Sequence, residues 1–206
     1  MKQGQEAWEE DYTRRGMLWG GFTHDLPDLP EESRVLELGC GNGKAITAMI
    51  HRGWRVAAID FSSRAATLCR LEFPDLRHSP VVVADARWCP FGDAVFDAVF
   101  ASHVTGHIPV LDRRLMANEA VRVLRVGGKI FFREFSTRDF RFGRGHTIEE
   151  GTFQRGTGII THYFSEEEVL DLFSTLIPSS IATREWSMRV RGCDLVRSEI
   201  VAVFTR

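Results

Sequence analysis

The sequence predicts an α/β fold in which a doubly wound, mixed sheet of seven strands ends in an antiparallel hairpin. A glycine-rich turn joins an apolar strand, Arg34–Leu38, to a helical pattern over Lys44–His51. Further short apolar strands then alternate with helical periodicity, at residues 55–59, 81–84, 96–101 and 129–135. Alternating strands and helices build a parallel sheet. The last two segments, 183–190 and 195–204, flank Gly192 closely enough to pair as a hairpin.

The glycine-rich turn is the first candidate binding site. Its sequence runs Glu37-Leu38-Gly39-Cys40-Gly41-Asn42-Gly43. Glycine lets the backbone turn sharply and approach a ligand closely, and the helix that follows presents free N–H groups to that ligand. The dinucleotide fingerprint would place its third glycine where Lys44 stands. The turn therefore predicts a polar ligand held differently from a dinucleotide.

Composition limits the class of protein. With 206 residues and 44% hydrophobic content, we expect one domain over residues 1–206. The 26 basic and 28 acidic residues give a formal net charge of -2, so no global field attracts nucleic acid or anionic lipid. No stretch approaches the roughly 20 apolar residues that span a bilayer. We therefore expect a cytoplasmic protein without a membrane partner.

Metal-ligating patterns are weak. The four cysteines lie far apart with no Cys-x-x-Cys pair, which is typical of reduced, mostly buried thiols. His103 and His107 have a spacing that could bind a metal from one helical face, but a third ligand does not accompany them locally. We predict no metal site.

Polar residues follow three of the predicted strands. Asp60 ends the second strand, and its carboxylate could accept hydrogen bonds from both hydroxyls of a ribose. Asp85 follows the third strand, and Ser102 and His103 follow the fourth. Since ligands of such sheets bind at the carboxyl ends of the strands, we expect these side chains to border one site.

At these residues the chain resembles the class I S-adenosylmethionine-dependent methyltransferases. The matching stretches are Leu36-Glu37-Leu38-Gly39-Cys40-Gly41-Asn42-Gly43, Ala58-Ile59-Asp60-Phe61-Ser62, Ala84-Asp85-Ala86 and Phe96-Asp97-Ala98-Val99-Phe100. The resemblance implies S-adenosylmethionine as the cofactor, with the Asp85 carboxylate on the adenine amino group. It implies these cofactor-binding residues: Tyr12, Trp19, Glu37, Gly39, Cys40, Gly41, Asn42, Asp60, Phe61, Asp85, Ala86 and Ser102.

Two sets of aromatic residues leave alternatives open. In the family, the segment before the first strand often closes over the cofactor, so residues 1–30 are expected to form a lid with Tyr12 and Trp19 near the methionine end. These aromatics could equally pack on the sheet edge. Trp88 could stack on the adenine ring or lie in the core.

The segment 136–165 is too long for an ordinary connection in a compact domain. Long loops at the carboxyl end of a sheet usually form substrate sites. We expect this segment to be an acceptor-side loop insertion that is partly mobile without substrate, because its glycines leave it few local contacts.

From the fifth strand onward the chain is similar to a narrower group, the tRNA cytidine-N3 methyltransferases. Glu134 stands where that group has aspartate, and Gly156-Thr157-Gly158 replaces an Asp-Gly-Thr run. The residues that carry the likeness are Phe132-Arg133-Glu134-Phe135, Asp139, Arg141-Phe142, Gly145, Glu150, Thr152-Phe153-Gln154-Arg155-Gly156 and Tyr163-Phe164.

The resemblance suggests roles on the acceptor side. Methylation of cytosine N3 develops positive charge, which a carboxylate accepting from the N4 amino group would stabilise. We predict Glu134 for that catalytic role, with His103 as a wall of the methyl-transfer site. The predicted substrate-binding residues are Arg133, Asp139, Arg141 and Arg155.

Other interpretations remain open. The charged side chains could instead form ion pairs that pin the loop, for instance Arg133 with Asp139. The acceptor could be a small molecule, or the protein could bind S-adenosylmethionine without transferring its methyl group. Because the local basic patch is small, a partner protein that delivers RNA is compatible with a tRNA acceptor.

Overall fold

The structure is a computed structural model that describes residues 2–16, 25–72 and 80–206. The helices are α1 Lys2–Arg15, α2 Lys44–His51, α3 Ser63–Glu72, α4 Val110–Val123 and α5 Glu166–Leu172. The strands are β1 Arg34–Leu38, β2 Arg55–Asp60, β3 Val81–Val83, β4 Phe96–Ser102, β5 Leu124–Phe135, β6 His146–Glu149, β7 Thr152–Gln154, β8 Ile160–His162, β9 Ile177–Val190 and β10 Cys193–Thr205. Trp19, which the sequence analysis assigns to the cofactor, lies outside the described residues.

Seven strands form one sheet in the order β3-β2-β1-β4-β5-β10-β9, which confirms the predicted architecture. The first five strands of that order are mutually parallel, and β10 pairs antiparallel with both β5 and β9. The carboxyl ends of β1, β2 and β4 therefore meet at one edge. The central position of β1 places the glycine-rich turn in the middle of that edge.

The sheet separates two apolar layers. Leu36 and Ile59 pack with α4 residues such as Met116, whereas Val35 and Ala58 pack with α2 residues such as Met49. Consecutive residues of a strand point to opposite faces, so each parallel strand feeds both layers. Burial on both faces explains why the strands read as continuous apolar runs.

Two turns shape the second half of the sheet, one before β5 and one between β9 and β10. Helix α4 gives way to β5 at Leu124 and does not continue to Gly127-Gly128, because Arg206 pairs with these glycines: its carbonyl accepts from Gly127 N–H (2.8 Å) and its N–H donates to Gly128 (3.0 Å). The β9–β10 hairpin turns at Arg191 and Gly192, with φ of 49° and 85°, as a two-residue hairpin turn requires.

The segment 136–165 is not the loop with few contacts that the sequence led us to expect. It contains a second, three-stranded antiparallel sheet in the order β6-β7-β8, with Phe153, His162 and Tyr163 buried. Each strand has only three or four residues, so periodicity in the sequence could not reveal it. We refer to β6–β8 as the small sheet.

The described part of the chain was also searched for membrane-spanning helices, metal-binding clusters and disulfides. None of its helices combines the length and apolarity needed to cross a membrane. Within residues 2–16, 25–72 and 80–206, His, Cys, Asp and Glu side chains form no cluster of three or more suited to a metal ion. All four cysteines are free thiols, three of them buried and Cys193 exposed.

Candidate active site

A cavity of about 1320 Å³ lies at the carboxyl ends of β1, β2 and β4. Small-molecule pockets usually measure roughly 300–1,000 Å³, so this cavity has room for more than one ligand. One side is formed by the glycine-rich turn and by the residues after β2 and β3. The opposite side, which we call the acceptor side, is formed by β5, β8 and the β9–β10 hairpin.

The glycine-rich turn has the backbone that the sequence requires. Gly39, Gly41 and Gly43 have φ of 69°, 55° and 87°, values that favour glycine. A Cβ on Gly39 would lie 2.8 Å from Cγ2 of Val104, closer than real side chains approach. Gly39 and Gly41 line the cavity, so the backbone itself forms part of the wall.

Asp60 holds this turn from the end of β2. Its Oδ2 accepts from Gly41 N–H (2.8 Å) and its Oδ1 accepts from Ser62 N–H (2.9 Å). Burial raises the pKa of the Asp60 carboxyl to about 6, although the two N–H groups oppose the shift. Because Asp60 also lines the cavity, the carboxylate can organise the turn and still accept from a ligand hydroxyl.

Glu37 provides an unsatisfied acceptor. Burial raises the pKa of its carboxyl well above the ordinary value, and its Oε2 has no hydrogen-bond partner among the described residues. The residue lines the cavity beside the glycine-rich turn. A buried oxygen without a donor is costly, so a ligand that brings an ammonium or N–H group would be stabilised here. Asn42 is buried behind the turn and Cys40 lines the cavity.

Asp85 lies in the loop after β3, and its carboxylate is held by Arg87. The Arg87 Nε lies 2.9 Å from Oδ1 and its side chain also reaches Asp112 on α4. Although burial raises the pKa of the Asp85 carboxyl, the hydrogen bonds and charge of Arg87 outweigh it and lower the pKa. Asp85 and Ala86 line the cavity. Trp88 is 65% exposed, so the core interpretation of that residue is wrong.

Helix α1 borders the cavity. Gln5 donates to the Phe61 carbonyl (2.7 Å), and the Glu9 carboxylate accepts from the N–H groups that begin α3, at 2.5 Å for Ser63. Trp8 packs edge-on against His107 at 4.9 Å between ring centroids. Tyr12 is buried and lines the cavity together with Trp8. Trp8 and Tyr12 therefore border the cavity and do not simply pack on the edge of the sheet.

His103 lies on the acceptor side between two carboxyl groups. It follows β4 with φ of 54°, a sparsely populated backbone conformation that is often found at functional sites. Its Nε2 lies 3.3 Å from Oε1 of Glu199, and its Nδ1 lies 3.8 Å from Oε2 of Glu134. The ring packs against Phe135 at 4.4 Å, and Ser102 lines the cavity beside it.

Glu134 does not take the predicted position. The residue is 1% exposed, its Oε1 accepts from Gly106 N–H (2.9 Å), and it is not among the residues that line the cavity. Burial raises the pKa of its carboxyl to about 7, although the His103 charge opposes the shift. Its Oε2 lies 3.8 Å from Nδ1 of His103, so Glu134 can influence an acceptor through that imidazole.

The charged residues of the acceptor side pair differently from the prediction. Arg133 pairs with Asp25 (2.6 Å) and not with Asp139, the partner named as an example of the ion-pair alternative. Asp139 is 2% exposed, lies outside the cavity wall, and accepts from Arg141 Nε and Arg197 Nε at 2.7 Å each. Its carboxylate joins the segment after β5 to β10, which agrees with the ion-pair alternative for this segment.

Arginine and aromatic side chains form the rest of the acceptor side. The guanidinium carbons of Arg141 and Arg197 lie 3.8 and 4.8 Å from the centre of the Phe135 ring. Arg155 contacts the Tyr163 hydroxyl at 3.3 Å. Sequence reasoning missed four residues of this wall because they alternate along the hairpin like any strand residues: Arg184, Trp186, Arg197 and Glu199.

The middle of the chain matches a known protein family, and solved structures share its fold. Residues 36–132 match the methyltransferase domain family. A solved S-adenosylmethionine-dependent methyltransferase from Methanosarcina mazei shares the fold, with a TM-score of 0.71 and 23% identity over 86% of this chain and 94% of that chain. Residues 36–132 therefore belong to a methyltransferase domain, whose cofactor is S-adenosylmethionine.

Two curated relatives of this methyltransferase domain have different acceptors in their names. The tRNA N(3)-methylcytidine methyltransferase Mettl2 of Drosophila melanogaster is 30% identical over 163 residues, 70% of this chain and 50% of that protein. A demethylmenaquinone methyltransferase of Corynebacterium urealyticum is 35% identical over 120 residues, 58% of this chain and 49% of that protein. The chain therefore spans about half the length of these relatives.

The residues of the methyltransferase domain fit S-adenosylmethionine. The unsatisfied Glu37 oxygen suits the ammonium of the methionine part, and the backbones of Gly39 and Gly41 line the cavity beside it. Asp60 and Asp85 offer acceptors on the same side of the cavity, for the ribose hydroxyls and the adenine amino group. Both hydroxyl and amino donors need such acceptors when they are buried.

Asp60→Ala is expected to weaken S-adenosylmethionine binding by roughly 1–3 kcal/mol, the cost of leaving buried donors without their acceptor. Isothermal calorimetry on the folded variant measures this change. Asp171→Ala, which removes an exposed carboxylate on α5, is the matched control and should bind like wild type. Unchanged affinity in Asp60→Ala would exclude the assigned contact.

Proposed function

We propose that the protein transfers the methyl group of S-adenosylmethionine to N3 of cytidine in tRNA. The observation that carries this proposal is the acceptor side of the cavity, where five arginines line the wall and two of them, Arg141 and Arg197, lie over the Phe135 ring. Guanidinium groups bind phosphates, and aromatic and guanidinium planes stack on unpaired bases. These arginines are Arg133, Arg141, Arg155, Arg184 and Arg197.

Methyl transfer requires the protein mainly to align the acceptor atom with the methyl group and sulfur of the cofactor, and to exclude water. When bound, the cofactor supplies an activated sulfonium methyl; the S–CH₃ bond breaks with its electron pair left on sulfur as the acceptor's lone pair forms the new bond. Glu37, Asp60 and Asp85 hold the cofactor side, and α1 covers it. His103 and Phe135 fix the plane of the acceptor base, so that its ring nitrogen approaches in line.

The share of this chain that aligns with the tRNA methyltransferase is larger than the share that aligns with the demethylmenaquinone methyltransferase, which supports a tRNA acceptor. The likeness to the Drosophila enzyme covers 70% of this chain, beyond the domain core, whereas that to the demethylmenaquinone enzyme covers 58%. The higher identity of the second relative, 35%, favours a small aromatic acceptor as the alternative function.

The proposal includes the organisation of the whole chain. We propose one methyltransferase domain over residues 1–206, with residues 1–30 as the lid and residues 136–165 as the acceptor-side insertion. The protein would act in the cytoplasm, and a partner protein would help to deliver the tRNA, since the formal net charge of -2 gives little general attraction to RNA.

The test is methylation of unmodified host tRNA with labelled S-adenosylmethionine, followed by mass spectrometry of the nucleosides. We expect 3-methylcytidine, formed by the protein alone or after addition of cell extract. Arg155→Ala should weaken tRNA binding and flatten its salt dependence, because one phosphate contact is lost. The matched control is Arg114→Ala, whose arginine pairs with exposed Asp171 on α5.

Three outcomes would contradict the proposal. Transfer to a phenol or quinol with none to tRNA would establish the small-molecule alternative. S-adenosylmethionine binding without turnover on any acceptor would make the protein a binding module. Equal tRNA binding by Arg155→Ala and Arg114→Ala would mean that the arginines of the acceptor side do not bind the tRNA phosphates.

A further inference from the structure

Glu199 is a carboxylate of the acceptor side that none of the sequence motifs indicates. It lies on β10 opposite Phe135 of β5, and it lines the cavity. Its Oε1 lies 3.3 Å from Nε2 of His103. Because Glu199 lines the cavity, a ligand bound beside His103 can reach its carboxylate.

The surroundings of Glu199 keep it ionised. Burial raises the pKa of its carboxyl, but the hydrogen bond from His103 and the charges of His103, Arg133 and Arg197 outweigh burial and lower the pKa below the ordinary value. Glu134, in contrast, faces Gly106, lies outside the cavity wall and has a pKa raised to about 7. Of these two carboxyls near His103, the one whose pKa is lowered is the one that borders the cavity.

We propose that Glu199 is the catalytic carboxylate of the acceptor site: it accepts a hydrogen bond from the amino group beside the ring nitrogen that is methylated, and it offsets the positive charge that this base acquires. The inference rests on the proposed function and replaces Glu134 in the role predicted from the sequence. As the new N–C bond forms, the base gains one positive charge and no proton is transferred. A fixed negative group stabilises that charge most effectively where water is excluded.

The position of Glu199 also selects a class of acceptor. An amidine-like nitrogen of a nucleobase carries an adjacent N–H donor and becomes cationic on methylation, so both features gain from a carboxylate. A phenolate or quinol acceptor is anionic or donates the proton from the attacking oxygen itself. A carboxylate beside such an oxygen raises the energy of its anion. Glu199 therefore suits nitrogen methylation of a base, because it stabilises the cationic product, whereas oxygen methylation gives a neutral product that gains no such stabilisation.

The test compares a cationic ligand with a neutral one, independently of turnover. In the presence of S-adenosylhomocysteine, calorimetry measures the binding of 3-methylcytidine and of cytidine to wild type and to Glu199→Gln. We expect wild type to prefer the cation and the variant to lose that preference by about 10- to 100-fold, the range of one charge-assisted hydrogen bond. The rate of transfer to tRNA should fall similarly, with S-adenosylhomocysteine affinity unchanged.

Two further variants complete the experiment. Glu185→Gln, on the opposite face of the same hairpin, is the matched control and should keep the wild-type preference. Glu199→Asp keeps the charge on a shorter side chain and should retain a preference for the cation; this variant decides the matter if Glu199→Gln does not fold. Equal binding of both nucleosides by wild type, or an unchanged preference in Glu199→Gln, would overturn the assignment.

The outcomes separate this inference from the proposed function. If wild type prefers the cation but forms no 3-methylcytidine in tRNA, the tRNA proposal fails and the role of Glu199 on a nitrogen acceptor stands. If 3-methylcytidine forms at the same rate in Glu199→Gln, the proposed function stands and the role of Glu199 is wrong. Equal losses in the binding of nucleosides and S-adenosylhomocysteine would indicate a purely structural side chain and would also overturn it.

Discussion

Replacing Arg113 by alanine is expected to lower the free energy of unfolding by about 3–5 kcal/mol, the usual cost of breaking a buried ion pair by removing one partner. Arg113 is 3% exposed on α4, and its guanidinium donates to the Ile108 carbonyl (2.9 Å), to the Thr152 hydroxyl (3.0 Å) and to the Glu149 carboxylate. The bonds to Thr152 and Glu149 attach the small sheet to α4, so the loss of the Arg113 side chain should also loosen that sheet.

The buried network explains why the effect is large. The Thr152 hydroxyl contacts His162 Nδ1 (2.7 Å), and His162 Nε2 contacts Glu168 (2.8 Å) at the start of α5. Without Arg113, the Glu149 carboxylate and the Thr152 hydroxyl lose a charged donor in a place that water reaches poorly. An unpaired buried polar group costs more than the bond contributed.

Arg114 supplies the matched control one residue along the same helix. It pairs with Asp171 at 2.7 Å, but both side chains are largely exposed, and such pairs contribute about 0–1 kcal/mol. Urea denaturation of Arg113→Ala and Arg114→Ala measures the contrast. Similar midpoints for the two variants would mean that the buried network does not stabilise the fold.

Glu134→Gln is expected to change how stability depends on pH. The pKa of the folded carboxyl is about 7, against an ordinary value of 4.5. The folded state therefore binds this proton more tightly than the unfolded state, and the contribution is complete below about pH 4.5 and is lost as pH rises through 7. A shift of that size corresponds to about 3 kcal/mol of unfolding free energy.

The variant isolates this loss because glutamine does not titrate and can still accept from Gly106 N–H. Denaturant unfolding of both proteins from pH 5 to pH 8 should give similar stabilities at pH 5 and a more stable Glu134→Gln at pH 8. Asp60 and Glu37 also have raised pKa values, but they titrate in both proteins and cancel in the difference. Parallel curves for the two proteins would exclude the raised pKa of Glu134.

The cofactor side of the cavity was predictable because its residues are local in the sequence. Gly39 and Gly41 are needed where the backbone turns after β1, and Asp60 and Asp85 follow strands whose carboxyl ends meet at one edge. Strand periodicity and the turn therefore determined the sheet and one wall of the site. The small sheet escaped prediction since its three- and four-residue strands depend on Arg113 and on the packing of Phe153 and Tyr163.

The sequence by itself determined the mixed seven-stranded sheet and the cofactor turn, because these follow from periodicity and glycine placement within short stretches of chain. Only the tertiary structure decided which carboxylate borders the acceptor. Glu134 and Glu199 lie 65 residues apart (199 − 134) and meet at His103 through the pairing of β5 with β10. Glu199 pairs with Phe135 and Glu134 pairs with the next residue, Ile200, so the two carboxylates leave opposite faces of the sheet. Glu134 is buried and accepts from Gly106 N–H, whereas Glu199 borders the cavity.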